Sequence, residues 1–218
     1  MDSNRTNLAL GYLRTAYNDY IAARVLLNRG YTLQGAMLSS TAIEKYFKAG
    51  ICLATGEILK VHMDRFEVIK NQVIEMGYGI LIEKIDSIFF DLLSKAYIVR
   101  YYDNITEPFT IGFFRNQFLG ELDGAVELFE LLFVLSKKRS DEKVLSPLKM
   151  DYRTGNPDLF ENNWVTTKEK DKKKFMETDC KGFAVHILPG NLFEEIHVTS
   201  QNLHVPYEGT MTLIKINN

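Results

Sequence analysis

Residues suited to chemistry gather in a few places along this chain. Arg100-Tyr101-Tyr102-Asp103 sets a guanidinium beside two phenols and a carboxylate. A guanidinium can grip a phosphate through two parallel N–H donors, and a tyrosine ring can stack a base. The competing reading is structural: Arg100 satisfies the last carbonyls of a helix, or pairs with Asp19 or Asp103. Glu44, Lys45 and Lys48 form a second group. Glu44 and Lys48 stand at i,i+4 on a helix, an ion pair worth roughly 0.3–0.5 kcal/mol. Alternatively, Lys45 and Lys48 extend a phosphate groove towards Arg100. His62 is a lone histidine in a polar segment, suited to a surface or capping role. His186, His197 and His204 all fall late in the chain, with Glu195 and His197 two apart on one strand face. A metal there would need further converging ligands. No Gly-rich phosphate loop or nucleophile elbow occurs.

Composition narrows the classes. The chain has 218 residues, with 46% hydrophobic and 25% charged residues, an ordinary globular balance. The formal charge is −2, with 15 basic against 16 acidic residues through Lys138 and 11 against 12 afterwards. Neither part is a basic nucleic-acid arm, so RNA contact would need a local patch. The run Lys168 to Lys174 holds five lysines and two acids, read as a solvated loop. Cys52 and Cys180 are too far apart for a zinc or redox motif, and Cys52 reads as a buried thiol. The opening MDSNRTNLAL lacks a signal-peptide core, and no run reaches the roughly 20 apolar residues of a membrane span. A cytoplasmic, reduced protein is expected.

The elements that must position these residues are mostly helical. Ala9, Leu13, Ala16, Tyr20, Ala23 and Leu27 share one helical face, and Gly30 suits a left-handed stop. A second helix is expected from near Thr32 to near Gly56, its stripe including Leu33, Ala36, Ile43, Phe47, Ile51 and Ala54. The short connection makes the two antiparallel. A third, shorter helix is expected over Phe66 to Met76, and a fourth from Ile82 to Val99. Pro108 breaks the pattern. A fifth is expected from about Ile111 to Lys138, with Phe114, Phe118 and Phe129 on its core face. Residues 140–180 read as an irregular, lysine-rich connector. Strand-like segments follow from Lys181: GFAVHIL, LFEEIHVTS and GTMTLIKI, the first two split by a turn signal. The fold class is therefore mainly α, an antiparallel bundle of four or five helices over 1–139 with a small antiparallel β extension over 181–218.

Several of these residues fall in an order that resembles the HEPN family of helical bundles. Asp19 lies among alanines and leucines on the first helix. Ala42-Ile43-Glu44-Lys45-Tyr46-Phe47-Lys48-Ala49 fits an A-x-E-K-x-x-K-A pattern on the second. His62 follows in the loop, and Arg100-Tyr101-Tyr102-Asp103 fits an R-Y-x-D-like turn after the fourth. The resemblance covers residues 5 to 138 and leaves the last 80 uncovered.

The resemblance implies a nucleotide- or RNA-binding protein, a homodimer, and a partnership with a small nucleotidyltransferase, as in toxin–antitoxin pairs. Catalytic members carry an Arg followed four to six residues later by His, and act on RNA without a metal. Here Arg100 is followed by YYDNITEPF, with no His. A phenol, titrating near 10, is a poor substitute near neutral pH. Binding without cleavage is therefore expected, with no catalytic residue, no cofactor and no metal. Arg100 would anchor the phosphate, Tyr101 and Tyr102 would stack, Lys45 and Lys48 would add charge, and Asp19 and Asp103 would support. A metal-independent ribonuclease with a rearranged site, and a module that binds only protein, are the rival readings.

Overall fold

The computed structural model describes residues 3–101, 105–133, 135–136, 143–178, 181–189 and 192–199. Its frame is a helical hairpin. Helix α1 runs Ser3–Asn28 and α2 runs Thr32–Thr55. The alanine-rich face of α1 is buried along its length, from Ala9 to Leu27. Gly30 turns the chain at φ 87°, and Gly56 closes α2 at φ 83° with its N–H on the Cys52 carbonyl. Both are left-handed positions that glycine occupies without a Cβ penalty. The helices run antiparallel, since Arg5 near the start of α1 donates to the carbonyls of Cys52 and Leu53 at the end of α2. Ala54, expected on the buried stripe, is exposed.

Small residues let the two helices approach closely. A Cβ on Gly35 would lie 2.6 Å from Leu27 Cγ and 3.1 Å from the Leu27 backbone nitrogen. A backbone atom cannot rotate away. Gly35→Ala should therefore destabilise the fold by about 1–2 kcal/mol, the cost of overpacking exceeding the gain in helix propensity. Urea unfolding checks this, and a variant as stable as the wild type contradicts it.

After a 3₁₀ turn at Met63–Arg65 come α3 (Phe66–Glu75), α4 (Gly79–Lys84) and α5 (Ser87–Ile98). One long fourth helix was expected here. Instead the chain breaks at Ile85, and Asp86 caps α5 by accepting from the Ile88 N–H at 2.8 Å. A carboxylate at this position satisfies a donor that an uninterrupted helix would supply from its preceding turn.

The fifth helix is also shorter than expected. Phe109–Phe114 forms strand β1, and α6 begins only at Arg115, ending at Leu132. Burial alternates along β1, with Ile111 and Phe113 inward. A strand wins because β1 has a partner. Strands β4 (Lys181–Leu188) and β5 (Leu192–Thr199) form an antiparallel hairpin, and β1 pairs antiparallel with β4, from Phe109↔Ile187 to Phe114↔Gly182. The sheet order is β1-β4-β5. The late β segment is thus stitched to the middle of the bundle. Leu135–Ser136 (β2) and Lys143–Val144 (β3) make a second, two-residue pairing.

The described part of the connector, expected to be irregular, contains short helices: α7 (Pro147–Thr154), α8 (Pro157–Phe160), a 3₁₀ turn at Trp164–Thr166, and α9 (Lys172–Met176). Ser146, Asn156, Asn163 and Asp171 cap them with their side chains. The expected strand at GTMTLIKI, together with Cys180 and His204, lies outside the described residues. The protein is mainly helical with a small antiparallel sheet. No helix among the described residues is long and apolar enough to cross a membrane.

One core joins these parts. Phe47 of α2 meets Phe129 of α6 edge-on at 4.8 Å, and Phe113 of β1 stacks on Phe118 at 4.3 Å. Across it runs a buried polar link. Arg24 of α1, fully buried, pairs with Asp123 of α6 and donates to the Asp158, Glu161 and Asn162 carbonyls of the connector. Tyr20 donates to the same carboxylate at 2.9 Å.

Candidate functional site

Thr41, Glu44, Lys45 and Lys48 lie at i, i+3, i+4 and i+7, so α2 presents them as one stripe. The end of α5 faces that stripe. Tyr97 is on its last turn, and Arg100 and Tyr101 follow in a tightened turn, their N–H groups bonding to the Tyr97 and Ile98 carbonyls. Arg100 is exposed. Its Nη1 donates to Thr41 Oγ1 at 2.6 Å, and its guanidinium lies 5.7 Å from the centre of the Tyr97 ring. Thr41 donates in turn to the Met37 carbonyl. Two contacts therefore aim the guanidinium, and among the described residues most of its donors have no partner. Among the described residues no carboxylate pairs with it.

His62 precedes the 3₁₀ turn and stacks on the same Tyr97 ring at 5.3 Å and 18°. Its Nδ1 is 3.0 Å from Glu44 Oε1. Glu44 is a hub: Oε1 also accepts from Lys48 Nζ at 2.7 Å, and Oε2 accepts from the Met63 N–H at 3.0 Å. A carboxylate on Nδ1 selects the tautomer with its proton there, leaving Nε2 able to accept one. The Tyr97 hydroxyl is 3.4 Å from that of Tyr101. Burial, and then this neighbour, raise the Tyr97 pKa, so it stays a neutral phenol. Tyr101 is 49% exposed, and its ring lies 5.5 Å from the Tyr97 ring, tilted by 47°.

Of the residues singled out in the sequence, Arg100 and Tyr101 stand together at the surface. Tyr102 and Asp103 lie outside the described residues. Lys48 is nearly buried against Glu44, so its charge is matched within the fold. Asp19 does not hold Arg100. It pairs with Lys45 at 2.7 Å across the α1–α2 hairpin, because those two helices pack closely and α5 lies beyond. Thr41 and Tyr97 were not read from the sequence. Their signal was present: each sits three residues before a named residue, on the same helical face.

Three of the five lysines in the run 168–174 are likewise matched by acids. Lys170 meets Glu127 at 2.8 Å, Lys172 meets Glu121 at 2.7 Å, and Lys174 meets Glu169 at 2.9 Å. Glu195 and His197 stand two apart on β5. Among the described residues, no three His, Cys, Asp or Glu side chains converge in a way that would hold a metal ion. No protein-family model, curated protein or solved structure matches this chain.

Proposed function

We propose that this protein is a HEPN-like binder of nucleotides or single-stranded RNA that holds its ligand by phosphate without cutting it. One observation carries the reading: an exposed guanidinium, aimed by Thr41 and Tyr97, stands beside a half-exposed tyrosine. Arg100 grips the phosphate and Tyr101 stacks the base. Lys45 and Lys48, engaged by Asp19 and Glu44, add long-range field more than direct contact. A homodimer in the cytoplasm and a nucleotidyltransferase partner belong to the same proposal and rest on the family resemblance.

His62 favours one second reading. A carboxylate-oriented imidazole, half exposed, shares the Tyr97 ring with Arg100. That geometry supports a metal-independent ribonuclease with its histidine drawn from the loop.

Fluorescence polarisation with labelled ATP and labelled single-stranded RNA, across a salt series, tests both. Arg100→Ala should weaken binding about tenfold or more and flatten the salt slope on RNA by about 0.7. Tyr101→Ala should cost severalfold or more. Absence of saturable binding at low salt defeats the proposal. RNA cleavage that needs no metal and is lost in Arg100→Ala and His62→Ala defeats its non-cutting half.

A further inference from the structure

An open groove of about 520 Å³ runs along one face of α1, walled by α7 and α8, and shares no residue with the Arg100 site. Its floor is two parallel rows of α1 side chains. Tyr17, Ile21 and Val25 make one row, and Asn18, Ala22 and Leu26 make the other, each stepping by four residues. Rows of this kind are the ridges that pack helices together, and the valley between two of them takes a ridge of another helix. Ala22 is small and exposed midway along the floor, so a second backbone can come close. Tyr17 to Leu26 spans roughly 14 Å of helix axis, about two and a half turns.

The wall sets the charge. Asp151 and Asp158 line it, and no cationic side chain does. Asp151 Oδ2 accepts from the Tyr17 hydroxyl and from the Asn156 amide, both at 2.6 Å. The Asp158 N–H donates to Asn156 Oδ1 at 3.1 Å. These bonds tie the wall to α1 and gather the two acids around one asparagine. Among the described residues neither carboxylate has a cation partner, and that of Asp158 accepts no hydrogen bond. Both residues are half-buried, so solvent screens them less than it would a fully exposed acid. The bases on the same elements do not serve. Arg24 spends its charge on Asp123, Arg29 faces Glu161, and Arg14, Lys149 and Arg153 lie outside the lining.

The result is a mostly apolar trough with an uncompensated negative edge. We propose that it docks a helix of a partner protein, one whose apolar stripe is flanked by lysine or arginine. The stripe seats on Ile21, Ala22 and Val25, and the flanking cation meets Asp151 and Asp158. Apolar contact supplies the affinity, and the acids choose the partner and its orientation.

Selection against the full chain from a displayed library of helix-forming peptides, each about 16 residues long, tests this. The binders should carry apolar residues at three–four spacing with Lys or Arg on the flank. The tightest, made as a labelled synthetic peptide, should bind about tenfold or more weaker to Ala22→Arg, which fills the valley, and about threefold weaker to Asp158→Asn. Ala22 is exposed and the Asp158 carboxylate makes no bond, so both variants keep the fold. Binders that are acidic or lack the stripe, binding that Ala22→Arg leaves unchanged, or a library that yields no binder would each overturn the proposal. Self-association of the wild-type chain in sedimentation that Ala22→Arg abolishes would overturn it too, because a second copy would then cover this face.

Discussion

Arg24→Met should cost about 3–5 kcal/mol of folding stability, a fall in melting temperature of roughly 6–20 °C for a chain this long. The reason is what the substitution leaves behind. Arg24 and Asp123 are both fully buried and paired. Burial raises the Asp123 pKa more than the neighbouring guanidinium lowers it. Without Arg24, that carboxyl would keep only the Tyr20 hydroxyl. The Asp158, Glu161 and Asn162 carbonyls would also lose a donor, loosening α8 and its neighbours from α1. The double variant Arg24→Met/Asp123→Leu should recover much of the loss, because a buried pair is worth little against well-packed apolar groups. Urea unfolding of the single and double variants measures both. A single-variant loss under about 1 kcal/mol would contradict the role given to Arg24.

Stability should also fall steeply in alkali. Tyr20 and Tyr46 are buried, and burial first, then the Asp123 and Glu130 carboxylates beside them, raise both pKa values well above the ordinary phenol value. In the unfolded chain both phenols titrate near 10. Below that pH both states hold the protons, and the contribution is fully present. Above it, the unfolded chain releases protons that the native state keeps, so stability is lost as pH rises towards the folded values. Two such groups give a slope of roughly 2.7 kcal/mol per pH unit. Tyr17, raised by burial and by its bond to Asp151, steepens it further. Tyr46→Phe should cut the slope by about 1.4 kcal/mol per unit, whatever it does to stability at neutral pH. Denaturant titrations from about pH 8 to about pH 12 read it directly. A flat profile over that range would remove the account.

The parts of the fold that were legible are those with local causes. The α1 face needs only its own three–four spacing, and Gly30 and Gly56 mark its turn and the end of α2 in residue type alone. β1 failed for the opposite reason. Phe114 and Phe118 have helical spacing, which drew the helix backwards over IGFF, residues 111–114. Nothing local says that β4, far along the chain, will offer it a hydrogen-bonding edge. The connector's helices were written in plain cap signals, Ser146-Pro147 and Asn156-Pro157, hidden among polar residues with no long period. At the surface site, the Glu44–Lys48 pair at i,i+4 was legible. The placement of His62 against Glu44 was not, because a loop's path leaves no spacing to read. Asp19 went to Lys45 because helix packing, not motif order, sets which charges meet.

The pairing of β1 with β4 also sets a timetable for synthesis. Phe114 and Gly182 are register partners separated by 68 positions in the chain. At typical translation speeds the ribosome needs roughly 3–14 s to make that stretch. Through that interval the β1 edge of the nascent polypeptide waits without its mate, carrying two apolar side chains that end up buried, Ile111 and Phe113. The helical hairpin can close early, from contacts near in sequence, while the sheet must close last across a long loop. This is the interval in which a chaperone, or a neighbouring copy emerging from the same messenger, would compete for that edge.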